Sequence, residues 1–262
     1  MILRIEDSFE GILTAAAWSL RNNQVPDAVI RGSDCPLLMD CHMLSTEDDI
    51  TDKHFRYLSR IIGDKAAADV IFELRCAFLA ETPGIELAVL EYIKLAVRLK
   101  LDPSSCEDLP EARAITTAAR RCLRMSHSYK GILRFRKTSN IGVDLYFADI
   151  DSDCNVLPLI ADHFADRFRD QNFIIRDLKR NNAVCHEAAD GKTYFVKLES
   201  SNDPLALSVA LPGYDQMDKI WQDYLKHLSI PERENRNLQR SNLPHKYRKH
   251  MTEFSLDLRD QA

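Results

Sequence analysis

The hydrophobic repeat of this chain changes at Gly131, and that change limits the fold more than any other feature. Before it, apolar residues recur every three to four positions; after it, they alternate. A stretch with a 3.6-residue period buries one face of a helix, and a stretch with a period of two buries one face of a sheet. The expected class is therefore α+β, with a helical amino-terminal half and a mostly antiparallel sheet with helices in the carboxy-terminal half.

Upstream, "ILRI" reads as a short strand, and "DSFEGILTAAAWSL" places Phe9, Ile12, Leu13, Ala16, Ala17 and Leu20 on one helical face. Asp7 and Glu10 have capping-box spacing. Residues 33–49, with Pro36 and several acids, read as a surface loop. Helices are expected over 51–62, 65–80, 85–99 and 111–130, the third apolar around most of its circumference and so central to the helical part. Downstream, "GILRFRK", "VDLYFADI", "FIIRDLK", "AVCHEA" and "KTYFVKL" read as strands, with a helix over "VLPLIADHFADRF" and a hairpin turn at "ADG". A last helix over 215–228 would bury Met217, Ile220, Trp221, Tyr224, Leu225 and Leu228. The chain divides into a helical part, 1–110, and a basic α+β part, 111–262, with a basic tail; the two also suit one continuous domain.

Charge is segregated along this frame. The chain has 35 Lys and Arg against 40 Asp and Glu, a net charge of -5. Yet the window from Ala112 to Val143 holds Arg113, Arg120, Arg121, Arg124, Lys130, Arg134, Arg136 and Lys137 without an acid. The tail from Arg233 to His250 adds Arg233, Arg236, Arg240, Lys246, Arg248 and Lys249 against Glu234 alone. In the predicted helix, Arg113, Thr117, Arg120, Arg124 and His127 share one stripe, and Ile115, Ala118, Cys122, Met125 and Tyr129 share another about 200° away. In the predicted strand, Ile132, Arg134 and Arg136 face one side and Leu133 and Phe135 the other. This basic surface suits a phosphate track, with Lys130 at the junction and Arg240, Lys246, Tyr247, Arg248, Lys249 and His250 as a clamp on strand or base. The same side chains would also serve as an ordinary solvated face paired with acids elsewhere. Phe135 reads as a core anchor rather than a base-stacking ring.

Other chemistry is thinly represented. Seven cysteines occur with no CxxC pair, and "CPLLMDCH" at 35–42 matches no metal spacing, so Cys35 and Cys41 read as ordinary thiols of a cytoplasmic protein. No cofactor and no metal site is expected. The acidic start lacks the form of a signal peptide, and the longest uncharged run, 204–214, is too short to span a bilayer, so no membrane contact is expected. No P-loop, GxGxxG, HExxH or GxSxG motif is present. The catalytic candidates are Asp149, Asp153, Asn155 and His163, drawn from "DIDSDCN" and the helix after it. A calcium loop is excluded there by Cys154 and Ile160 at positions that need glycine and a bidentate acid, which leaves magnesium chemistry or ordinary turn and cap chemistry.

Several segments together resemble a bacterial domain-of-unknown-function family linked in general terms with DNA metabolism and DNA repair. They are "DSFEGILTA", "FLAETPGIE", "HSYKGILRF", "DCNVLPLIADHFADRF", "IIRDLKR" and "PERENRNLQRSNLPHKYRKHMTEF". The resemblance implies a DNA-binding accessory role beside a radical S-adenosylmethionine protein, or with a uracil-DNA glycosylase-like domain, on single- or double-stranded DNA. The chain carries neither a glycosylase GQDPYH motif nor a CxxxCxxC cluster motif, so those activities would belong to partners. The competing expectations are a metal-dependent or nucleotide-processing enzyme and a protein adaptor without DNA contact.

Overall fold

Strand β1 (Ile2–Ile5) buries Leu3 and Ile5, and helix α1 (Phe9–Asn22) follows almost at once. In this computed structural model the described residues are 1–32, 41–47, 49–138, 144–198, 220, 224, 227, 235–248 and 251. The sharp entry from β1 into α1 depends on Gly11, where an added Cβ would lie 2.4 Å from the carbonyl oxygen of Glu6. The helix cap is Ser8, whose hydroxyl accepts from the Gly11 amide at 3.0 Å, rather than Asp7 as the spacing suggested. Strands β2 (Ala28–Arg31) and β3 (Cys41–Met43) flank β1 on either side, both parallel to it. The expected loop over 33–49 is thus corrected at Cys41–Met43, which joins a sheet. Cys41 is disulfide-bonded, so the reading of it as an ordinary thiol fails.

The helices α2 (Ile50–Ile62), α3 (Asp64–Leu79) and α4 (Ile85–Leu99) appear close to the predicted boundaries. Helix α4 packs against α1, α2 and α3 and buries Ile85, Val89, Leu90, Tyr92, Ile93, Leu95 and Ala96, as its apolar circumference requires. Two of the resemblance-bearing segments meet in this part. Arg31 at the end of β2 places its Nε 2.6 Å from the Glu86 carboxylate and Nη1 3.3 Å from that of Asp7, with its guanidinium over the Phe78 ring.

Helix α5 (Pro110–Ile132) opens on proline, whose missing amide hydrogen costs nothing in a first turn. It runs through Gly131, and the Leu133 amide still donates to the Tyr129 carbonyl. Strand β4 is therefore only Arg136–Thr138, and Ile132 and Arg134 precede it instead of alternating along it. The strands β5 (Leu145–Ile150), β6 (Asn172–Asp177), β7 (Asn182–Glu187) and β8 (Lys192–Lys197) match the alternating segments, with helix α6 (Leu157–Arg167) between β5 and β6. The sheet order is β4-β5-β6-β7-β8; β5 and β6 pair in parallel through the α6 crossover and every other pair is antiparallel. Phe147, Ile174 and Ala183 form the core of one face. On the other, Phe173 meets Phe135 and Phe168.

Two compact units result, Met1–Arg124 and Met125–Ala262. The helix expected over 215–228 lies mostly outside the described residues. Ile220 and Tyr224, which are described, are 52% and 53% exposed, so these two do not form the buried face assigned to them. Short helices α7 (Arg236–Asn242) and α8 (His245–Arg248) occupy the tail, α7 capped by the Asn235 side chain.

Candidate nucleic-acid interface

Helix α5 separates its two stripes as the spacing demands. Ile115, Ala118, Cys122, Met125 and Tyr129 are buried, while Arg113, Thr117, Arg120, Arg124 and His127 are exposed, as is Arg121 beside them. The turn before the helix partly engages this face. Arg113 donates to the carbonyls of Glu107 and Asp108 at 3.0 and 3.4 Å, and Arg120 donates to the Glu107 carboxylate. The Arg120 hydrogen bond holds the Glu107 carboxyl below its usual pKa. Both partners are exposed to water, where such a pair contributes little and is readily exchanged for another anion.

The remaining basic candidates are less uniform. Lys130 is half-buried at the end of the helix, Arg134 is half-buried and donates to the Ile132 carbonyl, and Arg136 is half-buried at the start of β4. Arg134 and Arg136 do not line one strand face, because the helix extends over the first residues assigned to that strand. Lys137 pairs with Asp144 at 2.7 Å.

In the tail, Arg240 is exposed on α7. Tyr247 instead turns inward, its ring 5.4 Å from that of Tyr129 at 82°, and Arg248 is only 9% exposed with Nε donating to the Leu243 carbonyl. Both side chains are thus engaged in contacts within the second unit. The side chain of Lys246, and all of Lys249 and His250, lie outside the described residues.

The catalytic candidates fall into separate environments. Asp149 on β5 is register-paired with Arg176 on β6 and accepts from its Nε and Nη2 at 2.7 and 2.9 Å, both side chains nearly buried. Asp153 is exposed, and its carbonyl accepts from Arg180. Asn155 is half-buried. His163 lies beside the Phe164 ring, with its Nε2 buried and without a hydrogen-bond partner. Partial burial lowers the His163 pKa, and the charges of Lys130 and Arg167 push the same way. Among the described residues no group of three His, Cys, Asp or Glu side chains is placed to hold a metal ion.

What holds this region is a network that motif spacing did not expose. Tyr129 donates to the Asp151 carbonyl at 3.0 Å, and the Ser152 hydroxyl lies 2.9 Å from the Met125 sulfur and accepts from the Cys154 amide. Arg180 Nη1 bonds both the Asp177 carboxylate and the Ser152 carbonyl. Segments beginning "HSYK", "DCNV" and "IIRD" and the "HKYR" of the tail are thereby joined. Phe135 behaves as an anchor, its ring 5.1 to 5.6 Å from those of Phe164, Phe168 and Phe173. The four-residue spacing of Phe164 and Phe168 was the available sequence signal for that cluster.

Among the described residues, no helix is long and apolar enough to cross a membrane. No curated protein matches the chain. Among solved structures, a Methanococcus jannaschii protein described as a candidate family II inorganic pyrophosphatase aligns at 10% identity over 79% of this chain and 97% of its own, with a TM-score of 0.20, too low to indicate a shared fold. A family model covers residues 83–253, from the turn before α4 to the basic tail, and the chain belongs to that family, the domain of unknown function DUF4130.

Proposed function

We propose that this protein is a DNA-binding accessory factor of DNA repair or DNA metabolism, and that the exposed face of α5 is its phosphate-binding surface. The observation that supports this most is the placement of Arg113, Arg120, Arg121 and Arg124 on the outer side of one helix, opposite a fully buried stripe, in a window without acids. A rigid helix fixes the spacing of four guanidiniums, each suited to bidentate contact with phosphate oxygens. Their charge is local, because the chain as a whole is acidic and would otherwise be repelled by a polyanion.

The catalytic step in this reading belongs to a partner, a radical S-adenosylmethionine protein or a uracil-DNA glycosylase-type enzyme, which the accessory factor brings to DNA. Replacing Arg120, Arg121 and Arg124 together by glutamate tests it. The variant should keep the helical circular dichroism and melting temperature of the parent and lose DNA binding. Unchanged binding would remove α5 from the interface.

One observation favours a second reading. Arg120 already donates to a carboxylate, that of Glu107, so the same face suits an acidic protein surface. An adaptor of that kind would capture the radical S-adenosylmethionine partner while ignoring DNA.

A further inference from the structure

In the second unit, Phe135, Tyr146, Phe168, Asp170, Gln171 and Phe173 line a cavity of about 300 Å³. The rings of Phe135, Phe168 and Phe173 fix one another at steep angles, 67° and 71° for Phe135 against the other two and 70° between those two. Tyr146 stands in register beside Phe173 on the neighbouring strand. Aromatic walls of this kind are apolar and flat. The polar groups at the cavity are uncommitted: the Tyr146 hydroxyl, the Asp170 carboxylate and the Gln171 amide have no side-chain partner among the described residues.

We infer that this cavity binds a nucleobase that carries an exocyclic amine, an inference that builds on the DNA-binding reading above. A base is a planar group with two π faces, which aromatic side chains accept without regard to sequence. Its edge then needs hydrogen-bond partners, and here they are a carboxylate that only accepts and an amide that both donates and accepts. Cytosine, adenine and guanine each present an amine to such a carboxylate. Thymine flanks its one ring N–H with two carbonyl oxygens, which a carboxylate repels.

Aromatic walls with an acid would also suit a quaternary ammonium ion. The surrounding charge argues against that occupant. The Arg167 guanidinium already lies 5.8 Å from the Phe168 ring centroid, and Arg169 is the neighbour of Asp170 in sequence. A cation beside the cavity repels an ammonium group and attracts the phosphate of a nucleotide.

The test titrates the full chain with dCMP, dAMP, dGMP and TMP, and with choline as the cation probe, by calorimetry and ligand-observed NMR. Labelled duplex and single-stranded DNA are measured in parallel. The three amine-bearing nucleotides should bind saturably and TMP about tenfold more weakly. Asp170→Ala and Gln171→Ala, both outside the packed core, should abolish that preference without lowering the melting temperature. Equal binding of TMP and dCMP, choline binding in place of nucleotides, or no saturable nucleotide binding at millimolar concentration would each overturn the inference. DNA binding without nucleotide binding would overturn it and leave the α5 interface standing. Nucleotide binding without DNA binding would support the cavity and remove the DNA interface.

Discussion

Arg180 and Asp177 form an ion pair at 2.7 Å with both side chains almost wholly buried, 9% and 0% exposed, and the same guanidinium donates to the carbonyls of Ser152 and Asp153. The other Asp177 oxygen accepts from the amides of Lys179 and Arg180. The carboxylate and guanidinium together tie the turn after β6 to the turn after β5. Asp177→Ala takes a carboxylate from a buried guanidinium and the acceptor from two backbone amides, so it should destabilise the second unit by about 3–5 kcal/mol. Urea unfolding checks this; a loss below about 1 kcal/mol, the range of an exposed pair, would show that the pair does not hold these turns.

Gly11→Ala provides a backbone test of the first unit. Its Cβ would meet the Glu6 carbonyl at 2.4 Å, a main-chain atom that cannot swing aside. The strand-to-helix corner must then open, and we expect a loss of about 1–3 kcal/mol, measured as a lower denaturant midpoint. A variant as stable as the parent would mean that β1 and α1 can separate at no cost.

Much of the fold was legible in the sequence, for identifiable reasons. Helices α2 to α4 follow their periods because each buries apolar residues at helical spacing, and α4 announces its central place by having almost no polar side. Strands β5 to β7 carry buried apolar residues, while β8 alternates in sequence with Tyr194 and Phe195 left exposed. The misreadings sit where local signals compete. "GILRFRK" alternates like a strand, but glycine costs a helix only about 1 kcal/mol, and the Leu133 amide stays with the Tyr129 carbonyl. Strands β2 and β3 are four and three residues long, too short to establish a period, and become strands by pairing with β1.

The candidate site divides in the same way. The α5 face was legible because helix geometry alone sorts Arg113, Arg120 and Arg124 from Ile115 and Cys122. Tyr247, Arg248 and Asp149 were not, because their partners Tyr129, Leu243 and Arg176 come from tertiary packing rather than from spacing.

Acid should weaken the first unit through His54. This ring is 3% exposed, and its Nδ1 lies 3.0 Å from the Ile50 carbonyl, which can only accept, so that nitrogen carries the proton. Burial lowers the His54 pKa from its ordinary 6.5; the Ile50 hydrogen bond opposes the shift and the charge of Arg21 adds to it. The unfolded chain therefore binds the proton more readily than the folded one. The contribution is intact above 6.5 and is lost as pH falls through the folded value. NMR titration of the His54 ring between about pH 8 and 5 should give a midpoint below that of a free histidine, with unfolding free energy falling over the same span. A midpoint at or above 6.5 would contradict the account.

The most direct test of the α5 interface is the salt dependence of duplex DNA affinity, measured by fluorescence anisotropy for the parent and for the triple variant Arg120→Ala, Arg121→Ala, Arg124→Ala. If these three side chains contact phosphates, the slope of log affinity against log salt should be shallower in the variant by about 2.7, or 0.9 for each lost contact. Equal slopes, or no binding by the parent even at low salt, would contradict the assignment of this helix face to DNA.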